Sequence, residues 1–464
     1  MLLPKQHIAF PPSLLRGGDL RGTEGDVVTP KTAALVGKAF GTILKNKGEN
    51  AVCTAYDGRL SSPELAEALI DGLMSCGLKV LKAGCAPTPL LYFTMQVTGV
   101  RNGIMVTGSH NPKGYNGFKL SAQGSPFCGN DLTELEKTAQ KGKFASGTGI
   151  SEDVDFTELY IHRLLKDFRE GLEPTVVWDC GNGTAGKIVP ELVASLPGRH
   201  IVINAEVDGS FPNHHPDPAV SENMKQLQNI VLLENADAGF AFDGDGDRLG
   251  AVDSSGRILS GDILLCLFAE QVLRFNPKAV IIADVKSGKN FSDNIRQMGG
   301  CPVIWKTGHS FIKKKMKETN AKLAGEVSGH FFFADRYYGY DDAFYAAVRL
   351  LDGISNGYEE NLGQRAEKYM QTFRLPEMAF DCPDKEKAAV MKKIEQTVKE
   401  KGLNVEEIDG ICLSYPDGSR VLIRASNTMP QIVALCEADT PEGLEDARKN
   451  LFDLLPDKIK VENQ

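Results

Sequence analysis

The sequence predicts an α/β protein that ends in a smaller α+β domain. Short apolar runs alternate with helical stretches along most of the chain. These runs lie at 51–53, 79–81, 175–186, 201–209 and 279–285. Strands that alternate with helices indicate βαβ units and largely parallel sheets. The C-terminal part differs, because a lysine-rich helix at 384–401 is followed by three consecutive β-like runs. That order is typical of a separate α+β domain.

The helix after the first of these strands has clear boundaries in the sequence. Ser61 and Glu64 have the spacing of a capping box, and apolar residues repeat at helical intervals after them. Gly77 ends the repeat, as glycine often does at the end of a helix. The sequence therefore predicts a helix that begins near Ser61, with the Ser61 side chain as its cap.

Four unusual loops, each beside an apolar strand, favour four domains. The length of 464 residues gives a prior of about three domains at roughly 150 residues each. The loops and the polar stretches between them raise the expected number by one. We expect domains over the ranges 1–152, 153–254, 255–367 and 368–464.

Composition and charge exclude several classes of protein. Hydrophobic residues make up 42% and charged residues 24%, which is typical of globular proteins. The net charge of −9 provides no long-range attraction to nucleic acid or anionic membranes. The first residues contain three prolines and resemble no signal peptide, and no apolar run is long enough to span a membrane. We therefore expect a cytoplasmic protein with reduced, scattered cysteines.

The loop from Asp243 to Arg248 predicts a metal site. Asp243, Asp245 and Asp247 alternate with glycine after an apolar run. Three carboxylates this close repel one another unless a cation neutralises them, and an all-oxygen set suits Mg²⁺. An EF-hand is excluded, because it would need glycine in place of Arg248 and glutamate in place of Ser254. The alternative is a solvated acidic turn.

Ser109 lies in a tight turn after another apolar run. A serine in such a turn can be a nucleophile or accept a phosphoryl group. It is not a nucleophile elbow, because glycines are missing at Thr107 and Asn111. An ordinary Gly-Ser, Asn-Pro turn is the alternative. A phosphoserine oxygen would supply the ligand that three aspartates leave open to Mg²⁺.

Two further loops carry polar side chains of mixed chemistry. The first offers a guanidinium, two hydroxyls and an amide, at Arg424, Ser426, Asn427 and Thr428. The second alternates carboxylate, hydroxyl and imidazole, at Glu326, Ser328 and His330. The first set suits a phosphate group, and the second suits vicinal sugar hydroxyls. Polar strand-end turns are the alternative for both.

Taken in order, these motifs resemble the α-D-phosphohexomutases, and most closely their bacterial phosphomannomutase/phosphoglucomutase branch. The matching segments are TGSHNP, YNGFK, DGDGDR, GEVSGH and RASNT. The resemblance runs nearly end to end. It implies three similar mixed α/β domains and a smaller α+β C-terminal domain around a central cleft.

The resemblance also implies a role for each site residue. Ser109 would be the phosphoserine and would hold Mg²⁺ together with Asp243, Asp245 and Asp247. The residues around the transferred phosphoryl group would be Arg21, Lys119, Arg248 and His309, with Lys119 and His309 as candidates for proton transfer. The substrate-binding residues would be His110, Lys286, Glu326, Ser328, His330, Arg424, Ser426, Asn427 and Thr428. Together the cations among them would form a basic site on an acidic protein.

The implied activity is that of an isomerase acting on hexose phosphates. Phosphoserine would phosphorylate the free hydroxyl of mannose or glucose phosphate, and the hexose 1,6-bisphosphate would reorient and return its other phosphoryl group to Ser109. We expect a monomer with no nucleic-acid or membrane partner. Gly17-Gly18 stands where the family usually has an aromatic residue, which leaves the hexose preference open.

Three alternatives remain at this stage. A phosphoglucosamine mutase usually has glutamine where Val327 stands, which ranks it second. Gly181–Gly186 with Glu206 matches a dinucleotide fingerprint and would indicate a nicotinamide-dependent dehydrogenase. The aspartate loop alone would suit a non-catalytic module that binds divalent ions.

Overall fold

The computed structural model describes residues 10–16, 18–169, 171–356, 359–403, 405–426 and 429–459. The chain divides into two compact units. Unit 1 comprises Met1–Ser260 and Ser328–Gly363, and unit 2 comprises Gly261–Val327 and Gln364–Gln464. The four domain ranges stay a prediction. Within the described ranges, no helix is both long and apolar enough to cross a membrane.

Strands and helices alternate along most of the chain. The strands are β1 (Leu20–Thr23), β2 (Ala51–Tyr56), β3 (Lys79–Cys85), β4 (Gly103–Val106), β5 (Tyr115–Ala122), β6 (Ser125–Pro126), β7 (Ile150–Asp153), β8 (Thr175–Asp179), β9 (Arg199–Ile203), β10 (Ala238–Phe242), β11 (Leu249–Asp253), β12 (Ile258–Leu259), β13 (Val280–Asp284), β14 (Cys301–Trp305), β15 (Leu323–Gly325), β16 (Phe331–Phe333), β17 (Phe373–Arg374), β18 (Met378–Asp381), β19 (Val405–Glu406), β20 (Ile411–Ser414), β21 (Arg420–Ala425) and β22 (Gln431–Ala438). The helices are α1 (Pro30–Asn46), α2 (Ser62–Met74), α3 (Thr88–Thr98), α4 (Asn130–Lys141), α5 (Thr157–Leu165), α6 (Val189–Val193), α7 (Lys225–Leu233), α8 (Gly261–Phe275), α9 (Phe291–Gln297), α10 (His309–Thr319), α11 (Ala343–Ser355), α12 (Leu362–Glu367), α13 (Asp384–Glu400) and α14 (Pro441–Leu454).

The first sheet of unit 1 has the strand order β1-β5-β4-β2-β3-β7. Strand β2 pairs in parallel with β3 and β4, as the alternation of strands and helices predicts. Strand β5 is antiparallel to both β4 and β1. Helices α1 and α2 pack so closely that a Cβ on Gly37 would lie 2.3 Å from the carbonyl oxygen of Leu69. The sheet thus places the chain segment after β4 beside residues of β1 and β5.

The predicted capping box at the start of α2 is wrong. Ser61 is the N-cap residue, but its side chain makes no hydrogen bond to the first turn of the helix. The Ser61 hydroxyl instead donates to Glu24 Oε1 at 2.6 Å. Gly77 follows the helix in the left-handed region, with φ of +80°. A tertiary partner has therefore replaced the local cap that the sequence spacing predicts.

The second sheet of unit 1 has the order β12-β11-β10-β8-β9. Strand β10 is parallel to β8 and antiparallel to β11, so β10 and β11 form a hairpin whose turn is the 243–248 loop. Helix α11 packs beneath this hairpin, with the Phe344 ring stacked on Phe242 at a centroid distance of 5.0 Å. A 3₁₀ turn over Thr184–Lys187 precedes the short helix α6.

Unit 2 contains a parallel sheet and an antiparallel sheet. Strand β13 pairs in parallel with β14 and β15, and helices α8 to α10 belong to this part. The antiparallel sheet has the order β17-β22-β21-β20-β19, with β18 on β22. Helices α13 and α14 cover it with buried residues such as Ile394 and Leu451. The predicted α+β character of the C-terminal part is confirmed.

Candidate active site

Ser109 lies in a strained turn at the carboxyl end of β4. Its φ of +49° places a non-glycine residue in the left-handed region, which is uncommon and marks functional turns. The side chain is buried, and its Oγ donates to Asp243 Oδ2 at 2.8 Å. The Oγ also lies 3.2 Å from His110 Nδ1. The structure thus brings the predicted phosphoryl acceptor into direct contact with the predicted metal loop.

Asp57 and Arg59 hold the Ser109 turn in place. Asp57 Oδ2 accepts from the Thr107 hydroxyl at 2.8 Å and from the Gly108 amide at 3.0 Å. The Arg59 guanidinium donates to the carbonyl oxygen of Ser109 at 2.8 Å. Both side chains are buried, so these charge-assisted hydrogen bonds are shielded from water. The strained backbone at Ser109 is therefore fixed by two long-range charged partners.

The aspartate loop is fully buried and closely packed. Asp243, Asp245 and Asp247 are each 0% exposed, and one oxygen from each lies within 4.8 Å of the others. Asp243 Oδ1 accepts from the backbone amides of Asp247 and Arg248 at 3.0 and 3.1 Å. Gly246 has φ of +71°, and a Cβ there would lie 2.8 Å from the Phe344 ring. Glycine at position 246 therefore lets the loop turn tightly enough to bring the three carboxylates together.

The buried negative charges of this loop favour the binding of a cation. Burial and the charges of Asp247 and Asp245 raise the pKa of Asp243 well above its usual range. Burial acts in the same direction on Asp247, but Lys119 and His330 outweigh it and hold its pKa well below the usual range. Asp245 Oδ1 is buried and has no hydrogen-bond partner within the described part of the chain. The donor set, all carboxylate oxygen beside a serine hydroxyl, fits a divalent metal ion.

Lys119 and Arg21 bring positive charge to the same place from the first sheet. Lys119, on β5, lies 2.7 Å from Asp245 Oδ2 and 2.5 Å from Asp247 Oδ2. Burial opposes its charge, but the carboxylates raise its pKa above the usual value. Arg21, on β1, pairs with Asp19 and donates to Asn111 Oδ1 at 2.8 Å in the Ser109 turn. Both predicted cations therefore lie at the site.

Arg248 and His330 lie at the other end of the aspartate loop. Their backbones form an antiparallel bridge, and His330 Nε2 lies 3.2 Å from Asp247 Oδ1. Arg248 Nε lies 3.4 Å from the same imidazole nitrogen. Burial and the charges of Arg248 and Arg21 lower the pKa of His110 well below its usual value, so the ring beside Ser109 is neutral at pH 7. Ser328 is half-buried in the turn before His330.

The Gly181–Gly186 turn supports the aspartate loop. The amide of Thr184 donates to the carbonyl oxygen of Gly244 at 3.1 Å. A Cβ on Gly183 would lie 2.8 Å from the same oxygen, so the close approach requires glycine. In a dinucleotide-binding site, a glycine-rich turn of this kind contacts the pyrophosphate of the ligand. Here the turn contacts the protein backbone at Gly244 instead.

In unit 2, Glu326 and the segment before His309 are tied together. Glu326 Oε1 accepts from the Gly308 amide at 2.5 Å, and the Thr307 hydroxyl donates to Asp284 Oδ2 at 3.0 Å. Burial and repulsion by Glu326 raise the pKa of Asp284 to about 6. His309 begins α10 directly after this segment. The loop that directly precedes His309 is thus hydrogen-bonded to the predicted residue Glu326.

Arg424 is linked to the same cluster by Asp409. Asp409 Oδ2 accepts from Arg424 at 2.8 Å and from the Thr307 amide at 3.1 Å. Lys286 pairs with Glu377 at 2.5 Å, and the carbonyls on either side of Lys286 accept from Arg420. The Ser426 hydroxyl accepts from the Met429 amide at 3.1 Å. Asn427 and Thr428 lie outside the described residues.

Sequence reasoning missed the residues that hold these loops. Asp57, Arg59 and Asn111 fix the Ser109 turn, and Asp284 and Asp409 fix the loops of unit 2. Nothing local connects Asp409 to an amide 102 positions earlier. Such partners are visible only once the chain is folded.

Models of the phosphoglucomutase/phosphomannomutase domains match the chain in four consecutive segments. The α/β/α domains I, II and III match residues 13–146, 158–256 and 260–373, and the C-terminal domain matches residues 377–454. Together these segments cover well over half of the sequence.

Curated relatives and solved structures agree with these matches. A phosphomannomutase/phosphoglucomutase of Pseudomonas aeruginosa is 44% identical over 436 residues, covering 94% of each chain. A phosphoglucomutase of Neisseria gonorrhoeae is 38% identical and covers 93% of this chain and 94% of its own. The crystal structure of a phosphoglucomutase/phosphomannomutase family protein from Burkholderia thailandensis has a TM-score of 0.89 at 38% identity, covering 95% of this chain and 96% of that one.

Proposed function

This chain belongs to the phosphoglucomutase/phosphomannomutase family, and on that basis we propose that it interconverts hexose 1-phosphate and hexose 6-phosphate through a phosphoserine at Ser109. It has the four-domain α/β architecture of that family and is a phosphohexomutase, an isomerase of carbohydrate metabolism. Mannose and glucose phosphates are the proposed substrates. The single observation that carries the residue assignment is the contact between Ser109 Oγ and Asp243, inside a buried cluster of carboxylates and cations.

Ser109 and its neighbours are arranged to accept and release a phosphoryl group. The turn is fixed by hydrogen bonds to Asp57 and Arg59, so little reorganisation is needed at the moment of transfer. The hydroxyl of Ser109 donates to Asp243, which orients the serine oxygen within the cluster of carboxylates. His110 lies within hydrogen-bond reach of the same oxygen. These contacts favour a nucleophilic role for Ser109.

Cations around the turn stabilise the charge on the group in transit. Lys119, Arg21 and Arg248 lie at the buried carboxylates of unit 1 and are assigned to the transferred phosphoryl group, with His309 as a further candidate. Lys119 and His309 are the proposed proton carriers. Mg²⁺ is the proposed metal, held by Asp243, Asp245, Asp247 and an oxygen on Ser109. When bound, it supplies positive charge that stabilises the phosphoryl oxygens during transfer.

Recognition of the sugar and of the second phosphate is assigned to the remaining loops. Glu326, Ser328 and His330 can donate to or accept from vicinal hydroxyls. Arg424, with Ser426, Asn427 and Thr428, suits the phosphate that is not reacting, and Lys286 adds a charge. A loop that reads only phosphate accepts either end of a hexose 1,6-bisphosphate. This intermediate, which also serves as activator, then reorients. Transfer of its other phosphoryl group back to Ser109 releases the isomerised hexose phosphate and restores the phosphoserine.

The phosphoserine is tested by the intact mass of the purified protein. After incubation with glucose 1,6-bisphosphate and Mg²⁺, we expect a mass increase of one phosphoryl group, located at Ser109 by peptide mapping. Ser109→Ala should remove both this group and mutase turnover. Ser121→Ala, on β5 outside the turn, is the matched control and should retain both. Full turnover in Ser109→Ala would contradict the covalent route.

A further inference from the structure

The two oxygens of the Asp245 carboxylate have unequal surroundings. Oδ2 accepts from Lys119 Nζ at 2.7 Å and from the Thr88 hydroxyl at 2.5 Å. Oδ1 is buried and has no hydrogen-bond partner among the residues that the structure describes. An orphaned carboxylate oxygen in a buried site is costly unless something binds it. The carboxylate is therefore held with one oxygen saturated and the other available.

Thr88 contacts Asp245 at two points. Its backbone amide donates to the Asp245 carbonyl oxygen at 2.9 Å, in addition to the hydroxyl contact with the side chain. Thr88 is the first residue of α3, follows Pro87, and is 0% exposed. A Cβ on Gly246 would lie 3.1 Å from Pro87 Cβ, so the start of α3 packs directly on the aspartate loop. The helix thus fixes both the backbone and the side chain of Asp245.

Lys119 cannot fix the rotation of this carboxylate by itself. Its ammonium group is shared between Asp245 and Asp247, and it is a compact charge with rotatable donors on a flexible stem. The Thr88 hydroxyl is a single donor on a β-branched side chain with restricted χ1. The Thr88 hydroxyl is therefore the more rigid of the two donors that leave Oδ1 of Asp245 open.

We propose that Thr88 is a positioning residue for the metal site, whose hydroxyl engages Asp245 Oδ2 so that Oδ1 is directed to the divalent cation. The inference rests on the proposed function, in which Asp245 is a metal ligand. Hydrogen bonds to ligand carboxylates orient them, and their loss typically weakens metal binding 10- to 100-fold. The proposal gives Thr88 no direct part in phosphoryl transfer.

The test is divalent-cation affinity of the full-length protein, measured by calorimetry with Mg²⁺ and by electron paramagnetic resonance with Mn²⁺. The protein is first dephosphorylated at Ser109, as verified by mass. Thr88→Val keeps the volume and removes the hydroxyl, and should bind both ions about 10- to 100-fold more weakly. Thr88→Ser restores the hydroxyl and should bind within about threefold of wild type.

Thr94→Val is the matched control. Thr94 is also 0% exposed and lies on α3, but its hydroxyl donates to the Leu90 carbonyl oxygen within the helix. The affinity of the Thr94→Val variant for Mg²⁺ should equal that of wild type. If Thr88→Val does not fold, Thr88→Ala replaces it. Thermal melting is recorded separately, so that a loss of stability is not taken for a loss of affinity.

Three results would overturn the inference. Wild-type affinity in Thr88→Val would show that the hydroxyl positions nothing, while leaving the proposed metal site intact. Equal weakening in Thr88→Ser and Thr88→Val would show that the hydroxyl does not set the affinity, because Thr88→Ser keeps it. Absence of saturable Mg²⁺ and Mn²⁺ binding in wild type would overturn the proposed metal site and the inference together.

Discussion

Asp342 is a buried carboxyl outside the residues assigned to the reaction, and it is the N-cap of α11. It accepts from the Tyr345 amide and from the hydroxyls of Tyr160 and Tyr337, each at 2.9 Å. These hydrogen bonds favour the ionised form, but burial outweighs them and raises the pKa of Asp342 to about 7. The folded protein therefore holds a proton there that the unfolded chain releases near pH 4.

This carboxyl should make stability fall as pH rises. Between about pH 4 and pH 7 the folded state binds the extra proton, so the free energy of unfolding decreases with pH through that window and levels off above it. Asp342→Asn keeps a capping oxygen and cannot titrate. We expect the wild type to lose about 1 kcal/mol per pH unit relative to the variant from pH 5 to pH 7. The measurement is thermal unfolding of both proteins at each pH. A stability difference that stays constant across that range would contradict the prediction.

At the residue scale, the sequence is informative where chemistry is concentrated in a short segment. Asp243 and its two neighbours, and Ser109, stand out because few structural roles need such residues so close together, and the structure brings them together. Arg59 and Thr88 do not stand out, since an arginine or threonine in a sequence has many ordinary uses. Their importance comes from partners 50 and 157 positions away.

At the scale of elements, the Gly181–Gly186 turn shows why a motif needs its structural context. The segment does follow a strand and precede a helical turn, as a dinucleotide fingerprint requires. Its close approach is made to Gly244 of the neighbouring hairpin. The failed capping box at Ser61 has the same origin, because a tertiary acceptor replaced the local one. Local spacing predicted the elements well but could not name their partners.

Gly183→Ala should therefore disturb the metal loop without changing any ligand. The new methyl group would lie 2.8 Å from the Gly244 oxygen and 3.0 Å from its Cα, so backbone must shift. We expect about 1–3 kcal/mol lower stability, from overpacking, together with weaker Mg²⁺ binding by calorimetry. Gly48→Ala is the control, because its φ is +78° with open space around it. It should lower stability while Mg²⁺ affinity stays at the wild-type value.

At the scale of the whole molecule, the assigned roles separate between the two compact units. Ser109, the three aspartates and three of the cations lie in unit 1, as do Ser328 and His330. Lys286, His309, Glu326 and the Arg424 loop lie in unit 2. The sequence predicted the order of strands and helices that builds both units. No sequence pattern indicates that residues 328–363 belong to the first unit.

This separation predicts that Arg424→Ala impairs substrate recognition alone. Loss of its charged hydrogen bonds to phosphate should lower kcat/KM for glucose 1-phosphate about 10- to 100-fold. The phosphoryl content of Ser109 and the affinity for Mg²⁺ should remain those of wild type, because both belong to unit 1. Arg448→Ala, an exposed arginine on α14, is the control for lost charge and should be silent. A fall in Mg²⁺ affinity with Arg424→Ala would refute the separation.

The discontinuity of unit 1 has a consequence for biosynthesis. The aspartate loop is polymerised early, but Phe344, whose ring stacks on Phe242 beneath it, leaves the ribosome only after the intervening segment Gly261–Val327. A nascent chain that stops at Ser260 exposes that aromatic surface and lacks His330. Chaperones that bind apolar segments during translation thus have a defined interval in which this hairpin is incomplete.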